Sequence, residues 1–484
     1  MHAGQTHMNT PTTGNPADPL AQLRSRKYVA LLVLAAILGV PIAAIAYGFL
    51  KLVDVLQKAV FTQLPSGLGF TGEPLWWPLL PLAVAGVLVG LTIRYLPGKG
   101  GHSPADGFHT GGAITPAEIP GVFLAALATL SLGAVLGPEA PLIALGGGLA
   151  ALAVRFSKRN LPKQTIAVVG ATGSFAAIAA LFGSPLPAAF LLMEAAGLGG
   201  AMLEIALLPG LLAAGVGALI FVGLDAWTGF GTFSLAVPHL PPYSHPDLAQ
   251  FGWALVLAPA AAVIGTVIRR IALGVRPHVE RHLVPLTALA GLAVAGLAIA
   301  FAAGTGKSSS EVLFSGQTAL GPFIGQATSY SVGALLLLLA CKGLAYSVSM
   351  SSFRGGPVFP AMFTGAVGGA AMSHLPGLPL VPAVAMGIGA MSVTMLRLPL
   401  TSVLLATLLL ASDGLAVMPL VIVAVVVAYV VAVRIAPSSG NSPAEPGKAA
   451  VPRQAPSRQA PSRQAPSRQA APEPRSAPPA AGTQ

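Results

Sequence analysis

The sequence predicts an all-α membrane protein of many spans, built from two related halves, and three observations carry that prediction. Of 484 residues, 54% are hydrophobic and only 8% charged, with a mean hydropathy of +0.77, whereas a soluble domain has about a quarter of its residues charged. Apolar segments of helix length follow one another from residue 28 to residue 435, separated by Gly, Pro and short polar stretches. One pattern, GPxxPxxxxG, occurs twice, from Gly137 to Gly146 and again 219 positions later from Gly356 to Gly365. With 57 Gly and 44 Pro in the chain, chance supplies about 0.05 copies, so the pair points to an internal duplication.

Proline suits the first turn of a helix, where its missing N–H has no intrahelical acceptor in any case, so both copies read as helix starts. A helix start at membrane depth has free N–H groups and the positive end of the helix dipole to satisfy, and an anion satisfies both. Broken helices at matching places in two repeat halves also mark midplane sites in transporters. The plainer reading makes both copies Gly/Pro kinks that serve packing alone. Repetition, with the carboxylate of Glu139 in one copy, favours a site, because an intramembrane acid is a functional hypothesis by default.

Residues 1–23 are polar and rich in Pro, Gly and Thr; they read as a disordered lead without a cleaved signal peptide. Arg24, Arg26 and Lys27 precede the first apolar run, 28–50, which places the N-terminus in the cytoplasm. Further runs at 77–97, 118–136, 139–154, 164–182, 185–199 and 201–224 complete one half. Runs at 251–273, 283–303, 328–349, 358–374, 378–395, 398–411 and 415–435 complete the other. Several fall short of the ~20 residues that cross a bilayer, as half-helices do.

Trp76 and Trp77 read as interfacial anchors. The stretch from Gly98 to Gly107 is too polar for lipid and too short for a domain; it is either an ordinary loop or non-helical backbone lining a cavity. Arg155, Lys158, Arg159 and Lys163 form one basic loop, and Arg269, Arg270, Arg276 and Arg281 another. No Lys or Arg lies between Lys163 and Arg269, so the loop 225–250, with Asp225, His239, His245 and Asp247, is expected to face outward. From Pro437 the chain is low in complexity, with Arg-Gln-Ala-Pro-Ser repeating from Arg453, a composition that buries too little apolar surface to fold. The expected organisation is a lead at 1–23, a membrane domain at 24–436 with halves at about 24–224 and 251–436, and a disordered cytoplasmic tail at 437–484.

Lys and Arg number 26 against 15 acids, a net charge of +11. Much of this excess sits in the tail and short loops, with no aromatic-studded basic face, and nucleic acid is not an expected partner. The single Cys341 excludes an intrachain disulfide and a cysteine metal cluster.

Taken together, the motifs resemble the CLC family of chloride channels and proton/chloride exchangers. Gly137-Pro138-Glu139-Ala140-Pro141 is similar to the family's GREGP stretch, Gly355-Gly356-Pro357-Val358-Phe359-Pro360 to its GGxFxP, and Gly100-Gly101-His102-Ser103-Pro104 to a diverged GSGIP. Phe314-Ser315-Gly316 and Arg397-Leu398-Pro399-Leu400-Thr401, near the family's RxPLT, follow in the expected order, so the likeness covers about residues 25–436. It implies inverted repeats of many tilted, partly re-entrant helices and a multi-pass homodimer in the cell membrane, with one pore per subunit and both termini cytoplasmic. The implied substrate is chloride, with the lipid bilayer as surroundings and no cofactor or metal.

The resemblance assigns Glu139 as the gate, since a carboxylate carries the charge of the permeant ion and can take its seat. It makes the amides of Ala140, Val358 and Phe359 the ion site and offers Tyr429 as the pore tyrosine. Three departures stand out. Pro357 has no N–H to offer. Gly101 stands where the serine of GSGIP is expected, leaving Ser103 or His102 as a substitute. Glu194 keeps the first position of the exchangers' inner acidic pair, but Ala195 holds the second and cannot titrate. That favours a voltage- or pH-gated channel over coupled exchange, with a proton/chloride antiporter, or a carrier of fluoride or nitrate, as the alternatives. Glu194 is then a stand-in acid or a cap on local backbone. An intramembrane enzyme is the distant rival: His102, Ser103 and Asp106 are neighbours, but no GxSxG frames them.

Overall fold

Residues 23–108, 114–156, 163–196, 201–229, 243, 245–410, 414–436 and 482 are described by a computed structural model of the chain. The lead at 1–22, Lys158 and Arg159, most of the loop around His239, and nearly all of the tail lie outside these residues.

Among the described residues the first half contributes seven helices longer than one turn: α1 (Arg26–Lys58), α2 (Leu79–Tyr95), α3 (Ile119–Ser131), α4 (Glu139–Phe156), α5 (Lys163–Phe182), α6 (Pro185–Ala195) and α7 (Ala201–Thr228). The second half begins with α8 (Leu248–Arg281) and α9 (Leu283–Thr305), followed by the short α10 (Leu320–Gln326). It ends with α11 (Val332–Ser352), α12 (Val358–Met372), α13 (Leu380–Leu396), α14 (Pro399–Leu409) and α15 (Gly414–Ile435). Eight of the described helices are long and apolar enough to cross a membrane, and six apolar ones are shorter, α12 and α14 among them. The protein is an all-α multi-pass membrane protein.

Caps and breakers in the sequence set these bounds. The Ser25 hydroxyl accepts the Tyr28 N–H at 3.1 Å to start α1. Asp247 and Gln250 close a capping box on α8. Gly306, at φ 70°, ends α9 in the left-handed conformation. The outward face of α1 carries exposed Val29, Val33, Ile37 and Val40 at helical spacing, as a helix bordered by lipid requires.

Two expectations are corrected here. Trp77 is no interfacial anchor: it is buried, and its indole N–H donates at 3.0 Å to the Val60 carbonyl, in the π-helical turn Ala59–Gln63 that extends α1. Widening a turn shifts carbonyls out of the regular ladder, and Trp77 supplies one with a donor; its neighbour Trp76 is exposed. The basic residues Arg269, Arg270, Arg276 and Arg281 are not in a loop but on the last turns of α8. Positive charge suits a helix C-terminus, and Arg270 also donates to the Ile435 carbonyl at the end of α15.

The two halves are interlocked. α2 of the first packs along α9 of the second, while α1 packs on α5 and α7 and α8 lies against α11, α13 and α15. Close crossings use small residues, as membrane helix pairs do. The last glycine of each repeated motif is one of these. Gly146 on α4 meets the Gly173 backbone of α5 so closely that a Cβ would overlap it, and Gly365 on α12 meets the Gly387 backbone of α13 in the same way.

Candidate anion site

The two copies of the motif are joined directly to one another. Gly137 N–H donates to the Gly356 carbonyl at 2.7 Å and Gly356 N–H returns the bond to Gly137 at 2.6 Å, a single antiparallel bridge. One step beyond each glycine is the proline that starts a helix: the Leu142 N–H reaches back to the Pro138 carbonyl at 3.0 Å and the Ala361 N–H to the Pro357 carbonyl at 3.2 Å. A helix normally leaves its first N–H groups without partners. Here the prolines at both ends of the motif lack an N–H, so each start presents only two amides: Glu139 and Ala140 on α4, and Val358 and Phe359 on α12.

Glu139 occupies this junction. Its side chain is completely buried, and Oε1 accepts the Phe359 N–H at 2.8 Å. The second oxygen, Oε2, has no hydrogen-bond partner among the described residues. It lies against Gly356, where a Cβ would collide with it, and a Cβ on Gly137 would meet both oxygens. Val358 and Phe359 are buried and Ala140 is half-buried, its N–H beside Gly356. A carboxylate from one half therefore rests on an amide of the other, in a slot that only glycines leave open.

Helix α11 supports the junction with polar side chains at i, i+4 and i+7. The Tyr346 hydroxyl donates to the Pro357 carbonyl at 2.8 Å, the Ser349 hydroxyl accepts the Val135 N–H at 3.0 Å, and Lys342 holds carbonyls of the segment after α9. None of the three stands out in the sequence motifs. The available signal was a stripe of polar residues at helical spacing on a largely apolar helix, which turns inward when the helix is surrounded by lipid and protein.

Gly101 and Ser103 lie on the connection between α2 and α3, where Gly98, Lys99, Gly100, Gly101 and Gly107 all have positive φ. It is non-helical backbone with two 3-10 turns, Pro97–Gly100 and Pro104–Asp106. Ser103 is buried and its hydroxyl has no partner among the described residues. No hydrogen bond links it or Gly101 to Glu139. Instead Arg354, which precedes the second motif, donates to the Lys99 carbonyl at 3.2 Å, and Arg276 pairs with Asp106. Burial, and then the like charge of Arg276, pulls the Arg354 guanidinium down to about 10, so it stays cationic at neutral pH. Tyr429 is half-buried on α15 and makes no hydrogen bond to these groups, whereas Tyr346 bonds to the second motif itself. Glu194 caps α14: Oε1 accepts the Leu400 N–H at 3.0 Å, and Oε2 takes the Thr401 N–H at 2.8 Å and its hydroxyl at 2.7 Å. Among the described residues no group of His, Cys, Asp and Glu is placed to hold a metal.

The profile of the voltage gated chloride channel family, Voltage_CLC, matches residues 85–433. The chain belongs to the CLC family. YfeO of Escherichia coli O7:K1 strain IAI39, a provisionally named ion-transport protein, is 30% identical over 360 residues, covering 74% of this chain and 82% of its own. YfeO of Escherichia fergusonii is 29% identical with the same coverage. Two solved structures share the fold. A slow cyanobacterial Cl-/H+ antiporter has a TM-score of 0.66 at 19% identity, covering 83% of this chain and 94% of its own. A CLC-type fluoride/proton antiporter has a TM-score of 0.62 at 21% identity, covering 84% and 95%. As a CLC protein the chain is an anion transporter or channel of the membrane.

Proposed function

We propose that this CLC protein carries chloride through a pathway gated by Glu139 and not obligatorily coupled to protons. The observation that carries the reading is the 2.8 Å bond from the Phe359 N–H to Glu139 Oε1. A helix-start amide is an anion donor, and the carboxylate occupies it as a tethered anion. Chloride on the amides of Ala140, Val358 and Phe359 has to displace that side chain, and protonation of Glu139 removes the charge that competes. Ser103, whose buried hydroxyl is unpartnered, is the second donor along the path, in place of the side chain that Gly101 lacks. Tyr346 holds the Pro357 carbonyl, which keeps this acceptor turned away from the ion; Tyr429 is left as a wall of the same path.

The absence of obligatory coupling rests on Ala195 and on Glu194, all of whose carboxylate bonds go to the start of α14. A second reading, proton-coupled exchange of chloride or fluoride, has a specific support: the two solved structures described above are named as antiporters of those ions. Purified protein in liposomes separates the readings. A chloride gradient should move chloride with few or no protons, and uphill proton movement at a fixed ratio would establish exchange. In the same vesicles chloride flux should rise as pH falls, Glu139→Gln should abolish that rise, and Glu139→Ala should leave an ungated leak. Wild-type behaviour in both variants defeats the gate. A homodimer with one pathway per subunit, seated in the cell membrane with both ends in the cytoplasm, completes the proposal.

A further inference from the structure

A cavity of about 40 Å³ lies against Pro138, the residue that precedes α4. Its polar lining comes from Asp54 and Gln57 on α1 and from Ser315, Gln317 and Thr318 in the segment between α9 and α10. About 10–15 Å³ suffices for one water, so there is room for a small ion with part of its hydration.

The residue before Ser315, Phe314, has its carbonyl held by Lys342. This lysine is fully buried on α11, and its Nζ donates to the carbonyls of Glu311, Leu313 and Phe314 at 3.0, 2.8 and 3.1 Å, 4.6 Å from the centre of the Phe363 ring. An ammonium has three N–H groups and no acceptor. Three carbonyls are its full complement, whereas a neutral amine would turn a lone pair on one of them. The arrangement is that of the charged form. No carboxylate among the described residues lies within ion-pair distance of Lys342. Glu311 gives it a main-chain carbonyl and offers a side-chain oxygen to the Tyr330 hydroxyl instead. A buried charge without a contacting counter-ion is poorly screened, and its field reaches the next cavity.

We propose that Lys342 makes the cavity beside Pro138 an anion-binding antechamber, where a small inorganic anion rests on the Ser315 and Thr318 hydroxyls and the Gln57 carboxamide before it reaches Glu139. The inference rests on Glu139 lying on the anion pathway. The lining chemistry fits. Ser315 Oγ accepts the Gln317 N–H at 3.2 Å, which leaves its own hydrogen to donate. Gln57 uses one amide hydrogen on the Leu130 carbonyl at 2.7 Å and keeps a second. Asp54, the acid in the lining, is held by Lys58 at 2.9 Å. The loop that Lys342 clamps by its carbonyls is the one that carries Ser315, so a single side chain both shapes the chamber and charges it.

The test is the chloride concentration that gives half-maximal flux in liposomes. Lys342→Gln and Lys342→Met should raise it at least about fivefold, as loss of a poorly screened charge implies, with maximal flux changed less, and Lys342→Arg should restore it. Ser315→Asp places a negative charge in the chamber without touching the lysine and should raise it likewise; this variant decides the matter if the Lys342 variants do not fold. Unchanged half-saturation in Ser315→Asp, or in a folded Lys342→Gln, overturns the antechamber. Glu139→Ala measured alongside keeps the two claims apart. An altered pH response there with unaltered chloride affinity in the other variants leaves the gate standing and removes the chamber, whereas an unaltered response removes the gate.

Discussion

At Glu139 one carboxylate oxygen has its amide, and the other, without a hydrogen bond among the described residues, lies against Gly356. That asymmetry makes the seat testable. Gly356→Ala puts a methyl group where Oε2 lies; overpacking of this kind costs about 1–3 kcal/mol. Its expected result is a lower thermal midpoint and a weakened pH response of flux, because the carboxylate can no longer settle. In a Glu139→Ala background the same substitution should cost much less, and a double-mutant cycle that shows no coupling would place the carboxylate elsewhere. Glu194 gives a contrasting expectation. Glu194→Ala should lose roughly 1 kcal/mol of stability through the uncapped start of α14 while leaving the proton-to-chloride ratio as it was. Glu139 was legible in the sequence because a charge within an apolar run is costly in a membrane and persists where it has a task. Tyr346, Lys342 and Ser349 were not, since one chain does not say which face of an apolar helix meets a site and which meets another helix.

Between elements, each letter of the repeated motif has a use. The first glycine makes the bridge between halves, the first proline starts the helix, the second removes a third free amide, and the last glycine lets the helix lie on its neighbour. Gly146→Val and Gly365→Val should therefore be equivalent, each forcing apart a helix pair, and each should reduce the yield of folded protein on size exclusion. One variant behaving as wild type would show that the halves do not use the motif alike. Helix positions were readable from apolar runs and Gly/Pro breaks, so α2, α4, α9, α12 and α15 lie within a few residues of expectation. The errors have local causes. α8 continues through Arg269, Arg270 and Arg276, which are good helix formers, and ends with Arg281 in its last turn, where positive charge is favourable. Trp77 turns inward because the π-helical turn after α1 needs a donor, and no spacing rule announces such a turn.

Over the whole molecule, the site exists only because both halves contribute to it: the acid comes from α4 and the amide beneath it from α12, 220 positions apart in sequence. The CLC family match and the shared fold fix the class of protein, and the arrangement of Glu139 on Phe359 is what the proposed gating adds. Its most direct measurement is a structure of Glu139→Ala grown in bromide, with the anion located by its anomalous scattering. The account predicts bromide within hydrogen-bonding distance of the Phe359 N–H, in the place the carboxylate had held. Bromide bound elsewhere along the path, with that amide left without an anion, would contradict it.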